Sequence, residues 1–278
     1  MVHIYNVSLQ TGILPDMMKK AKIKPLFKKG DRQDIKNYRP ISILSVFSKP
    51  LEKLMHNRLL LFLKRHNMLT CEQHGFMESK STEIASHSFI QCPESLGQTS
   101  TCSRHLPWPF QSNDVINHNR LLDKLDSYEI RGSVNSWFQS YLTNRTQSVE
   151  ISQTDRYKYT QHSFQSLLRA TSYGIPQGSV LGHLLFLICN NDLPLNIHRA
   201  KFVLYAEDTS VLVVDKNEES LQTKLSLVMK QLENWFLKNY LFINTTKIAA
   251  MSFHLCCSKP PFKLCILLRN TKLNICPK

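Results

Sequence analysis

Apolar residues recur at helical spacing in several stretches of this chain. From Ser48 to Asn67, Leu51, Leu54, Met55, Leu59, Phe62 and Leu63 form one face, with Arg58, Lys64 and Arg65 on or near the other, which predicts an amphipathic helix. Residues 117–143 carry two shorter stripes, Leu121, Leu122, Leu125 and Tyr128, then Trp137, Phe138, Tyr141 and Leu142, with Arg131-Gly132 between them. A helix is expected around Leu181–Ile188. The clearest one covers 217–238, with Leu221, Leu225, Val228, Leu232, Trp235 and Phe236 on one side. The aromatic stripes are read as core. Strand signals are fewer: Gln147–Ile151, then two apolar runs, Phe202-Val203-Leu204 and Ser210–Val214, that predict a buried hairpin. Outside its helix, the stretch 1–70 reads as loop and basic turn. Lys28-Lys29-Gly30-Asp31 is the turn, and Pro40 bars a helix just before it.

Composition narrows the class. At 278 residues the chain can bury a substantial core, and 42% hydrophobic residues argues against global disorder. The formal charge of +14 is concentrated at the front: residues 1–70 hold 14 Lys and Arg against 4 Asp and Glu. A basic lobe ahead of a near-neutral body suits a polyanion such as nucleic acid. Charge alone leaves a merely solvated basic face equally open. No run approaches the length of a membrane span, and the N-terminus lacks a secretory pattern, so an intracellular chain, in cytoplasm or nucleus, is expected. The eight cysteines show no zinc-ligand spacing and read as free thiols in a reducing compartment.

The chemistry lies at the tip of the expected hairpin, Tyr205-Ala206-Glu207-Asp208-Thr209, where two adjacent carboxylates interrupt an apolar run. Buried acids are costly unless paired or bound to a metal, so such a tip is a metal-site candidate. Alone, it reads more readily as an ordinary surface turn. It does not stand alone. About thirty residues earlier comes Gly174-Ile175-Pro176-Gln177-Gly178-Ser179-Val180-Leu181-Gly182, and near the start come Lys36-Asn37-Tyr38-Arg39-Pro40-Ile41-Ser42 and Gln73-His74-Gly75-Phe76. In this order the four segments resemble the fingers motifs, motif B and motif C of the reverse transcriptases of non-LTR, Jockey-type retrotransposons. The resemblance runs from about Leu14 to Phe253.

That resemblance implies an α+β fold, the fingers and palm of a right-hand polymerase without its thumb. Its expected parts are a basic fingers region (1–85), a palm (86–253) and an unplaced tail (254–278). It implies RNA-directed DNA polymerase activity on an RNA template, a DNA primer and dNTPs, by in-line transfer with two Mg²⁺ about 3.5–4 Å apart. Glu207 and Asp208 would be the metal ligands of motif C. Lys247, in Asn244-Thr245-Thr246-Lys247, would be the motif D lysine beside the leaving pyrophosphate, although it also reads as a solvent-facing lysine. Gln177 and Gly178 would line the nucleotide pocket and Lys80 would reach phosphate. Arg39 and the lysines at 22, 24, 28 and 29 would contact template or phosphate.

Departures from the family pattern point to lost catalysis. Glu207 replaces an aspartate, and its extra methylene shifts the carboxylate by about 1.5 Å, against a tolerance of about 0.5 Å. Met77 stands where the family has arginine, His183 where it has proline, and Glu129 and Tyr240 where it has glycine at turns needing positive φ. Motif A is absent. The pattern resumes only at Asp114-Val115-Ile116-Asn117-His118, and Asp114 matches the motif's second, non-ligating aspartate. Codons for residues 104–112 can be chosen so that reading one base further on spells Gly-Ile-Phe-Leu-Gly-Leu-Ser-Lys-Ala. This is the family text, with glycine for the metal-binding aspartate at position 108. About 93–113 are therefore expected to be frame-shifted and irregular. The alternatives to an impaired polymerase are a non-catalytic nucleic-acid-binding remnant and an untranslated relic.

Overall fold

A computed structural model describes residues 1–94, 100–107, 115–154, 161–206, 208–215, 218–241, 249–253, 267–268 and 271–272. In chain order the elements are α1 (Val2–Thr11), β1 (Lys20–Phe27), β2 (Tyr38–Leu44), α2 (Ser48–Arg65), α3 (Thr82–Glu94), β3 (Ser100–Pro107), α4 (His118–Ser127) and α5 (Gly132–Leu142). They continue with β4 (Arg145–Thr154), β5 (Gln161–Gln165), β6 (Arg169–Thr171), α6 (Gly182–Asn190), β7 (Lys201–Tyr205), β8 (Asp208–Asp215), α7 (Glu218–Lys238), β9 (Ala249–Phe253) and two short strands, β10 (Leu267–Leu268) and β11 (Thr271–Lys272). The expected helices and the acidic hairpin are all present.

The chain folds into two compact units, Met1–His66 with Asn113–Phe186, and Asn67–Ser112 with Leu187–Lys278. This differs from the serial division at residue 85, because β4 returns to pair in parallel with β1, from Lys20↔Thr146 to Ile23↔Val149. The N-terminal stretch therefore shares a sheet with the middle of the chain. Apart from β10 and β11, the expected 254–278 tail lies outside the described residues.

In the first unit the sheet runs β2-β1-β4-β5, with β6 also on β4. The expectation of loop over the first forty-odd residues is corrected here. Lys20-Ala21-Lys22-Ile23-Lys24 alternates exposed lysines with buried apolar residues, which is the signature of a half-buried strand. Pro25 and Pro40 obscured it. They lie opposite each other on β1 and β2, β4 follows β1 only as far as Ile23, and β2 is an edge strand, so neither proline interrupts an inner ladder. Around the sheet, Trp137, Phe138, Tyr141 and Leu142 of α5 are fully buried. The Trp137 and Tyr141 rings stack at 5.5 Å, and the Trp137 indole donates to Ser8 Oγ on α1 at 3.0 Å. The buried face of α2 carries Leu51, Met55, Leu59 and Leu63, and also one carboxylate, Glu52.

The second unit holds a four-stranded antiparallel sheet, β7-β8-β3-β9. The expectation that residues 93–113 are irregular is corrected for 100–107. β3 is an inner strand, paired with β8 from Ser100↔Asp215 to Pro107↔Asp208 and with β9 from Thr101↔Phe253 to His105↔Ala249. Strand pairing uses backbone groups, so an unfamiliar side-chain sequence can still fill the position. α7 packs against β8 with Leu221, Leu225, Val228, Leu232, Trp235 and Phe236 buried.

Candidate active site

The hairpin of the second unit closes tightly. Tyr205 and Asp208 are cross-strand partners, so the reversal between them is two residues long. Ala206 has φ +52°, a left-handed conformation that a two-residue hairpin demands and an alanine adopts at a cost. Asp208 is exposed, and its neighbours Thr209 and Val211 are buried beneath it. Glu207 lies outside the described residues, as does Lys247.

A separate segment braces this tip. The His74 amide donates to the Leu204 carbonyl at 2.7 Å, the Leu204 amide donates to the Glu72 carbonyl at 2.9 Å, and Gln73 forms a parallel bridge with Leu204. The Gly75 amide donates to Gln73 Oε1 at 2.9 Å. Gly75 lies so close to the turn that a Cβ there would stand 1.9 Å from the Ala206 nitrogen. Only glycine fits. Lys80 completes the brace, its ammonium donating to the carbonyls of Cys71 and Gln73, each at 2.7 Å. The lysine expected to reach phosphate thus has two of its three N–H groups on the segment beside the tip.

β3 ends beside the acids, with Pro107 opposite Asp208, and the next residue in sequence is Trp108. No carboxylate occurs from Ser100 to Asn113. Among the described residues no group of three His, Cys, Asp or Glu side chains could hold a metal ion. Among the described residues, the three-carboxylate arrangement of a two-Mg²⁺ centre is therefore not assembled.

The first unit presents two surfaces. On one face of its sheet lie Lys20, Lys22 and Lys24 of β1, all exposed, with exposed Arg39 opposite Leu26 on the same strand pair. On the other face, Ala21, Ile23, Pro40, Ser42, Arg145 and Gln147 wall a cavity of about 170 Å³, covered by Tyr173–Gln177. The cover is pinned at both ends. The Ser42 amide donates to the Gln177 carbonyl at 2.8 Å. The Gly174 amide donates to the Ile116 carbonyl at 2.9 Å, and the Gly174 carbonyl accepts from buried His118 Nε2–H at 2.7 Å. Burial lowers the His118 pKa, Arg145 acts the same way, and the hydrogen bond to Gly174 opposes them. Gly178 has φ +107°, and a Cβ on it would meet the Ser42 carbonyl at 2.9 Å. The neighbouring strand thus accounts for glycine at this position.

Residues 26–266 match the family of reverse transcriptases (RNA-dependent DNA polymerases). The chain belongs to the reverse transcriptase family. It is 29% identical over 248 residues to a probable RNA-directed DNA polymerase from transposon BS of Drosophila melanogaster, covering 84% of this chain and 26% of that protein. It is 28% identical over 263 residues to the RNA-directed DNA polymerase from mobile element jockey of the same fly, covering 90% of this chain and 27% of that protein. The chain thus spans about a quarter of the length of these relatives. Apo telomerase from Candida tropicalis, truncated from its C-terminal domain, shares the fold at a TM-score of 0.56 and 12% identity, over 88% of this chain and 52% of that one. The α+β fingers-and-palm expectation is thereby met.

Sequence motifs do not point to two further residues of the reverse transcriptase fold. His118 stands at the first position of an apolar-striped helix, where a histidine invites a capping or tethering role. Glu52 sits on the apolar stripe of α2, where a charge needs a reason. Among the described residues, no helix is long and apolar enough to cross a membrane.

Proposed function

We propose that this chain is the fingers-and-palm portion of an RNA-directed DNA polymerase of a Jockey-like retrotransposon, and that this copy has lost nucleotidyl transfer while keeping the scaffold that handles nucleic acid. The observation that carries the reading is the register of β3. Its last residue, Pro107, stands opposite Asp208, so the position that follows, where the family's metal-binding aspartate is expected, is Trp108. Of the three carboxylates that would hold two Mg²⁺, only Asp208 is unaltered in type, and Glu207 has the wrong length. Mg²⁺ requires near-octahedral oxygen ligands at about 2.0–2.1 Å, and this set does not meet that demand.

RNA template, DNA primer and dNTPs are the partners of this reading. The face bearing Lys20, Lys22, Lys24 and Arg39 would engage phosphates without reading sequence. The cavity under Tyr173–Gln177 would receive the nucleotide beside Gln177. Lys247 would serve the leaving pyrophosphate. The decisive experiment is primer extension on an RNA template with Mg²⁺ or Mn²⁺. The chain as it stands should give only background. A chain with Glu207→Asp and with residues 104–112 replaced by Gly-Ile-Phe-Leu-Asp-Leu-Ser-Lys-Ala should extend the primer. Extension by the unrepaired chain would refute the loss of transfer, and codons 104–112 that do not spell the family motif one base on would refute its proposed origin by frame shift.

A further inference from the structure

Glu52 is the one carboxylate on the buried face of α2, 1% exposed. Its Oε2 accepts the Val180 amide at 2.8 Å across 128 residues of sequence. The Leu181 amide, the Arg145 guanidinium and the Ser48 hydroxyl, which donates to the Ser45 carbonyl at 2.8 Å, lie near enough to favour the carboxylate's charged form. Val180 and Leu181 lie between Gln177-Gly178 and the start of α6, where Ser179 Oγ accepts the Gly182 amide at 2.9 Å. Arg145 is itself 3% exposed, donates Nη1–H to the Tyr141 carbonyl at 2.9 Å and lies 4.9 Å above the Tyr141 ring. Among the described residues, Glu52 Oε1 and Arg145 Nη2 make no hydrogen bond. Placing a carboxylate here is costly, and burial raises its pKa above the ordinary value. The return on that cost is the Val180 amide hydrogen bond it accepts.

We infer that Glu52 is a positioning residue: its carboxylate, held by α2, anchors the 178–182 turn and so fixes Gln177 and Gly178 over the cavity. Ser42 holds this turn at Gln177 and His118 holds it at Gly174. Glu52 is the third point, on the side of α6. The consequence for nucleotide binding rests on the polymerase reading, whereas the anchoring does not.

The test is amide hydrogen exchange on the whole chain, as it stands, with Glu52→Ala and Glu52→Gln. A hydrogen bond to a charged acceptor contributes enough that its loss should speed exchange at Val180 by about tenfold or more. In Glu52→Ala that acceleration should be confined to 177–182 and leave the amides of α5 protected. Glu52→Gln retains an acceptor oxygen and should restore most of the protection. A residue that merely fills space would move neither set of amides selectively, and unchanged exchange at Val180 in Glu52→Ala would overturn the inference. If Glu52→Ala fails to fold, Glu52→Leu, which fills the space without an acceptor oxygen, decides the matter by the same readout: selective acceleration at Val180 supports the anchoring and unchanged exchange overturns it. Binding of a primer–template with dNTP, measured in parallel, separates the two proposals. Selective exchange without any change in binding would count against the polymerase reading and leave the anchoring intact.

Discussion

The turn at Gly174–Gly178 and the tip at Tyr205–Asp208 are built alike. Each is a tight reversal pinned by backbone hydrogen bonds from a distant segment: Ser42 and Ile116 for the first, Glu72 and His74 for the second. Each is crowded against a glycine without which it would not close, Gly178 in one and Gly75 in the other. Yet the turn keeps the residues its family pattern expects, while the tip has exchanged Asp for Glu and stands beside a strand that brings no acid. Backbone pairing is indifferent to such exchanges and metal ligation is not. On the proposed reading, loss of nucleotidyl transfer would leave the hairpin, its brace and its sheet register intact.

The largest effect expected on this comparison comes from adding one methyl group to each reversal. Gly75→Ala places a Cβ 1.9 Å from a backbone nitrogen that cannot step aside, and should cost about 3 kcal/mol or more. Gly178→Ala meets one carbonyl oxygen at 2.9 Å in a left-handed conformation, and should cost about 2 kcal/mol. Guanidinium unfolding of the two variants measures both. If Gly75→Ala proved the milder change, the brace on the tip would be looser than its hydrogen bonds describe.

A second contrast is internal to the first unit, where two buried groups titrate with opposite sign. The folded-state pKa of Glu52 is raised, so above the ordinary value of 4.5 the native state still holds a proton the unfolded chain has released. Stability from this group therefore falls as pH rises through that window. His118 is lowered from 6.5, so its contribution is fully present above 6.5 and is lost as pH falls toward the depressed value. Denaturant midpoints between about pH 4 and 8 should lose the first slope in Glu52→Gln and the second in His118→Gln. A profile unchanged by either substitution would mean that neither group is buried as described.

The legible and illegible parts of the sequence divide along physical lines. α2, α5 and α7 announced themselves because a wide apolar face repeats over many turns. The acidic hairpin did so because two apolar runs flank a two-residue reversal. β1 and β2 stayed hidden, since their alternation is short and broken by Pro25 and Pro40, which only the sheet's incomplete pairing excuses. β3 could not be read at all: Ser-Thr-Cys-Ser-Arg-His-Leu-Pro has no strand period, and its place is set by β8 and β9 on either side. The candidate site was visible as motifs, but the anchors that shape it, Glu52 and His118, are single polar residues whose partners lie 128 and 56 residues away.

The smallest expected effect compares two helix termini, one in each unit, where a side chain holds a left-handed position. Glu129 follows α4 in the first unit with φ +61°, and Tyr240 follows α7 in the second with φ +56°. Both stand at the left-handed position of a helix terminus, where the Ile130 amide returns to the Leu125 carbonyl at 3.0 Å and the Leu241 amide to the Phe236 carbonyl at 2.9 Å. A side chain there costs roughly 1–2 kcal/mol, part of which glycine gives back as lost chain entropy. Glu129→Gly and Tyr240→Gly should therefore each stabilise the chain by about 0.5–1 kcal/mol, additively because the two helix ends share no hydrogen bond. Thermal unfolding of the single and double variants measures this. A gain at one terminus only would show that the other unit had already relaxed around its substituted residue, and the symmetry of damage implied by the two left-handed side chains would fail.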